Sequence, residues 1–156
     1  MQISASFLSI KENVKQNVEV LDKCDIDYLH LDVMDGIFVE NKTYTKDEFA
    51  SIIANTEKPL DVHLMVSDVK KYIDEFSLLN PDFITFHIEA VSDVAGVIKY
   101  MKDNNYFKYS NTFIFGNTCY TDEDDDIYIE SIKYILEDSN IIFNANIGHI
   151  DPVFTI

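Results

Sequence analysis

The chain has 156 residues, 47% of them hydrophobic and 13% aromatic, which supplies enough apolar surface for a packed core and excludes a disordered chain. Lys and Arg number 12 against 28 Asp and Glu, a formal charge of -16, and a field of that sign repels nucleic-acid backbones and anionic membrane surfaces, so neither is an expected partner. A phosphorylated ligand meets the same repulsion and would need local cations, converging backbone N–H groups or a bound metal to hold it.

Short apolar runs alternate with amphipathic segments, the pattern of β/α repetition. Ile3–Leu8 is predicted as a strand; Ser9 with Glu12 then reads as a capping box before a helix carrying Val14, Val18 and Leu21, which ends near Lys23. Tyr28–Met34 is predicted as the second strand. After a loop through Asn41, Thr45 and Glu48 form a second capping box, ahead of Phe49, Ile52 and Ile53. Pro59 separates that helix from a strand over Leu60–Val66, and Ser67 opens the next helix, with Tyr72, Phe76 and Leu79 inward. Asn80-Pro81 turns the chain into a fourth strand, Phe83–His87, and a helix follows from about Ser92 to Lys102 on Val94, Val97, Ile98 and Met101. Beyond Asn104-Asn105 a strand over Thr112–Phe115, a helix over Asp126–Leu136 and a strand over Ile141–Asn146 complete about five and a half units. The acidic run Asp122–Asp126 lacks the alternation and central Gly of a calcium loop and reads as a solvated helix start.

Cys24 and Cys119 lie far apart and form no C-x-x-C pair, which argues against a disulfide framework and a Cys-based zinc site and fits a reduced, cytoplasmic setting. Met1–Ile10 has none of the organisation of a signal peptide, and no run approaches the length of a membrane span.

The chemistry concentrates on the second and third strands. At period two, His30, Asp32 and Met34 share one face while Leu29, Leu31 and Val33 share the other; Asp61, His63 and Met65 likewise alternate with Val62 and Leu64. Adjacent parallel strands would bring His63 beside His30 and Asp32. Two imidazoles and a carboxylate suit a divalent transition metal such as Zn, Fe, Mn or Co. A lone histidine would more simply satisfy itself within the core, but the trio on consecutive strands favours the metal. His87 and Glu89, at the end of the fourth strand, are expected to support the site at most.

These segments carry a resemblance. His30-Leu-Asp-Val-Met-Asp-Gly36 with Phe38-Val39 and Asn41, Asp61-Val-His-Leu-Met-Val66, Ile3-Ser-Ala-Ser-Phe-Leu-Ser9 and Thr85-Phe-His-Ile-Glu-Ala90 resemble, in order, motifs of the ribulose-phosphate 3-epimerase family, over about residues 1–108. The resemblance implies an α/β fold of parallel (β/α) units of TIM-barrel type, and at this length a partial barrel of about five to six strands. It also implies that His30, Asp32 and His63 hold a divalent metal, that Asp32 is one acid/base, and that Ser6 and His63 contact a phosphorylated sugar epimerised at C3. The family's second acid/base and fourth ligand, an Asp in a late Val-Asp-Gly-Gly strand, has no counterpart here, and neither do its Gly-rich phosphate loops, since the chain has only 4 Gly and no Gly-Gly pair.

Residues 109–156 read as a divergent βαβ segment packed in the same domain. Phe113-Ile-Phe-Gly-Asn117 and Asn146-Ile-Gly-His-Ile-Asp-Pro152 resemble the C-terminal segment of the LD-carboxypeptidase family, which would make His149 a general base. The nucleophilic Ser and its Glu partner have no recognisable context, and a triad cannot work from its histidine alone, so a structural role for His149 is favoured. The leading expectation is an epimerase-like isomerase, inactive unless another group replaces the missing acid. The alternatives are a non-catalytic half-barrel that self-associates as a homo-oligomer and, behind it, a peptidase fragment using His149.

Overall fold

The computed structural model describes residues 2–106 and, beyond them, the backbone of two strands at 113–116 and 142–145. In chain order the elements are β1 (Ser4–Ser6), α1 (Val14–Leu21), β2 (Tyr28–Met34), α2 (Lys46–Ile52), β3 (Leu60–Met65), α3 (Val69–Ser77), β4 (Phe83–His87), a 3-10 turn (Ile88–Ala90), α4 (Val94–Asp103), β5 (Phe113–Gly116) and β6 (Ile142–Ala145). All pair in parallel, in the order β1-β2-β3-β4-β5-β6. Parallel strands that neighbour each other in both chain and sheet need crossovers of one hand, which lays α1, α2, α3 and α4 on the same face. The fold is therefore α/β, built from (β/α) units as in a partial TIM barrel.

The two faces of the sheet differ in kind. Leu29, Leu31 and Val33 on β2, Val62 and Leu64 on β3, and Ile84 and Phe86 on β4 are buried and form one apolar cluster with Val18, Phe49, Ile73, Phe76, Val97 and Met101 from the helices. Each such side chain contributes about 1.5–3 kcal/mol by leaving water, and edge-to-face contacts of Phe49 with Phe7 and Phe76, at 6.0 and 5.8 Å between centroids, join the helices to the start of the chain. The opposite face carries Ser6, His30, Asp32, Asp61, His63 and His87. A parallel sheet covered on both sides reads as continuous apolar runs; alternation within these strands marks a face kept for something other than packing.

Two helix starts differ from the sequence expectation. The Ser9/Glu12 capping box does not form: α1 begins after Asn13, which is left-handed at φ 51° and gives no side-chain cap. Burying Phe7 against Phe49 commits residues 7–10 to a turn, closed by the Ile10 N–H on the Phe7 carbonyl at 3.0 Å, and this displaces the helix start. Ser67 does not cap α3 because its N–H and its hydroxyl both donate to Asp35 Oδ2, each at 2.7 Å. Asp68 takes the cap instead, accepting from the Lys71 N–H. The Thr45/Glu48 box forms as expected.

β1 is shorter than Ile3–Leu8, and β5 and β6 lie within a residue of their predicted positions. The predicted helix at Asp126–Leu136, the acidic run before it and His149 lie outside the described residues. No helix among the described residues is long and apolar enough to cross a membrane.

Candidate metal centre

Strand register assembles the polar face. His30 lies opposite Asp61 and Asp32 opposite His63, while His63 lies opposite Thr85, one step before His87 on the same face of β4. The result is a chain of side chains running across the sheet. Ser4 Oγ donates to Asp61 Oδ2 at 2.7 Å, and His30 Nδ1 faces the same oxygen at 2.7 Å. His30 Nε2 lies 3.3 Å from Asp32 Oδ1, and His63 Nδ1 lies 3.6 Å from that oxygen on the other side. His63 Nε2 meets His87 Nε2 at 2.8 Å, and His87 Nδ1 is 3.9 Å from Glu89 Oε2. Asp32 Oδ2 accepts from Ser6 Oγ at 2.6 Å.

His30, Asp32 and His63 form a group in which one donor atom of each lies within 4.8 Å of the others. Donors around a tetrahedral ion at bond lengths near 2.0–2.1 Å stand about 3.3 Å apart, close to both contacts of Asp32 Oδ1. Two imidazole nitrogens and a carboxylate oxygen fit Zn, Fe, Mn or Co in donor type. Asp61 Oδ2 stands where it can accept a proton from His30 Nδ1, so that an Nε2 freed of its own proton would offer a lone pair, the usual support for a ligating imidazole.

Electrostatics in the site follow from this crowding. Burial works against a charge on His30, but the carboxylates of Asp32 and Asp61 overcome it and raise its pKa to about 9. Burial likewise opposes ionisation of Asp32, yet hydrogen bonding from His30, His63 and Ser6 holds its carboxyl well below the usual range. His87 is pushed down by burial and by His63, with Glu89 pulling the other way. A cation held by these residues would displace the second proton of His30 and would supply the countercharge to Asp32.

The loop after β2 is tied over the site. Asp35 Oδ1 accepts from the N–H groups of Ile37 and Phe38, while Oδ2 holds Ser67, so this carboxyl, despite some desolvation, also lies well below its ordinary value. Thr43 closes the other end, donating to the Asp32 carbonyl at 2.8 Å and accepting from the Met34 N–H at 2.9 Å. Phe38 consequently rests against His87, with ring centroids 5.3 Å apart.

The structure thus brings Ser6, His30, Asp32 and His63 together, and places His87 in direct contact with His63. Sequence reasoning passed over Asp61 and Ser4 as members of the site. Asp61 shares the period-two face of His63, which is a signal, but its partner His30 is fixed only by the strand register.

An ordered parallel (β/α) sheet with an ionisable cluster on its open face defines a barrel-type protein with a candidate metal centre. A family model described as the ribulose-phosphate 3 epimerase family matches residues 2–108, more than half of the chain, and the chain belongs to that family. A ribulose-phosphate 3-epimerase of a Synechocystis species is 38% identical over 87 residues, 56% of this chain and 36% of the relative. One from Methanocaldococcus jannaschii is 36% identical over 100 residues, 64% of this chain and 40% of the relative. One from Helicobacter pylori strain J99 is 29% identical over 146 residues, 94% of this chain and 59% of the relative, so that similarity runs past the end of the family match. The chain spans between 36% and 59% of the length of these curated relatives. Neither the family model nor these relatives carry the LD-carboxypeptidase likeness of the C-terminal segment.

Proposed function

We infer that the chain is an epimerase acting at C3 of a ketopentose phosphate, with His30, Asp32 and His63 as the ligands of a divalent cation and Asp32 as the base. The observation that carries this reading is the convergence of those three side chains on β2 and β3 in a chain of this family. A cation held by His30, Asp32 and His63 would supply positive charge against the oxygen that becomes negative as the C3–H bond breaks. The Asp32 carboxylate takes the proton from C3 while the C–H pair becomes the C2=C3 π bond and the carbonyl π pair moves onto the C2 oxygen; return of a proton to the opposite face of C3 reverses those shifts and gives the epimer. Ser6 donates to Asp32 and so orients it, and the family resemblance supports a further contact of Ser6 with substrate. Burial opposes ionisation of Asp32, but hydrogen bonds from His30, His63 and Ser6 outweigh it, which keeps the carboxylate ionised and lowers its strength as a base.

Inversion needs an acid on the far side of the sugar, and the late-strand Asp to which the resemblance gives that part has no counterpart among the described residues. Turnover therefore depends on a group beyond them or on a second chain. The test combines epimerisation of ribulose 5-phosphate with metal content. Asp32→Asn removes a ligand charge and the base together, so it should abolish turnover, by roughly 10²-fold or more; epimerisation retained in that variant would end the proposal.

A second reading, a half-barrel that self-associates without catalysis, is supported by β1, which among the described residues ends the strand order beside β2. It predicts a dimer or larger assembly on size-exclusion chromatography without turnover, and a compact monomer counts against it. A peptidase reading rests on His149 and would be revived only by hydrolysis of an LD-linked peptide that is lost in His149→Ala.

A further inference from the structure

His63 and His87 stand on neighbouring strands with their Nε2 atoms 2.8 Å apart, rings 5.0 Å between centroids and tilted by 27°. A hydrogen bond between two imidazoles needs a proton on one facing nitrogen and a lone pair on the other. Which ring donates is decided at the opposite end of His63, whose Nδ1 is turned to Asp32 Oδ1. A nitrogen that ligates a cation must present its lone pair. His63 bound through Nδ1 then carries its proton on Nε2 and donates it to His87. His87 in turn keeps Nε2 bare and holds its own proton on Nδ1, the atom directed at the Glu89 carboxylate. Phe38 packs against the His87 ring from the loop and restrains its rotation.

We propose that His87 is a positioning residue for the metal centre: it fixes the tautomer and orientation of His63, with Glu89 behind it, so that β4 serves a site whose ligands lie on β2 and β3. His30 is served in the same way by Asp61, but His63 is served by an uncharged ring. This proposal rests on the metal reading of His30, Asp32 and His63.

The test uses the full chain and Co(II), whose binding is followed by chelator competition and by visible absorption, in the wild type and in His63→Ala, His87→Phe and His87→Gln. Thermal melting of each metal-free variant monitors folding. His87→Phe removes the acceptor and should weaken Co(II) binding roughly 10–100-fold and alter the absorption band. His87→Gln offers an amide oxygen to the His63 N–H and should recover most of the affinity. If His87→Phe does not fold, His87→Lys replaces it, since an ammonium offers donors only and should bind as weakly. Wild-type affinity in the variant that lacks an acceptor, or equal weakness in that variant and His87→Gln, overturns the role of His87 while leaving the metal site standing. Absence of Co(II) binding in the wild type, or binding indifferent to His63→Ala, overturns the metal reading and this proposal with it.

Discussion

Asp61 Oδ2 accepts from Ser4 and from His30, which joins the first three strands through one oxygen. Replacing it by Asn would keep the shape and remove the charge that holds the Nδ1 proton of His30. Asp61→Asn is therefore expected to weaken metal binding roughly 10–100-fold with little loss of fold, as read by chelator competition beside a thermal melt. His30, Asp32 and His63 were legible in the sequence because alternation within a strand places residues on a face without knowledge of any other strand. The pairings Asp61 with His30 and His87 with His63 were not legible, because they depend on how far one strand is shifted along the next, and that is set by the packed layer beneath.

Among the elements, the helix starts show where local signals prevail. Thr45 accepts from the Glu48 N–H while Glu48 reaches back to the Thr45 N–H, so the local signal is met in full. Thr45→Ala should cost about 1 kcal/mol, measured by urea denaturation. At Ser67 the local signal loses to Asp35, which lies 32 residues away in sequence and claims both its donors. The hold of Asp35 on this loop has a definite pH dependence. Its folded pKa is depressed below 3.8, so its stabilisation is complete above that value and is lost as the pH falls from there toward the folded one. The difference in melting temperature between wild type and Asp35→Asn should be constant near neutrality and shrink on acidification below pH 3.8. A difference that grows instead would contradict the assignment.

For the molecule as a whole, β/α alternation made the class of fold readable over residues 2–106, since each apolar run is followed by an amphipathic segment. The order of the strands follows from connection rules and not from any one residue. The charge of -16 acts at this scale too: like charges over one small surface repel and oppose compaction. Raising the concentration of potassium chloride should therefore raise the melting temperature by screening that repulsion, and a melting temperature that falls with salt would show that attractive pairs dominate.

The line of side chains from Ser4 to Glu89 has a consequence for the sheet itself. Its links Ser4–Asp61, Ser6–Asp32, His30–Asp61, Asp32–His63 and His63–His87 each join different strands. A slip of one residue between any two strands would send these groups into the helix-covered layer and break the line. The cluster thus works as a vernier for strand alignment, and an ion seated in it would reward the aligned sheet over every slipped one.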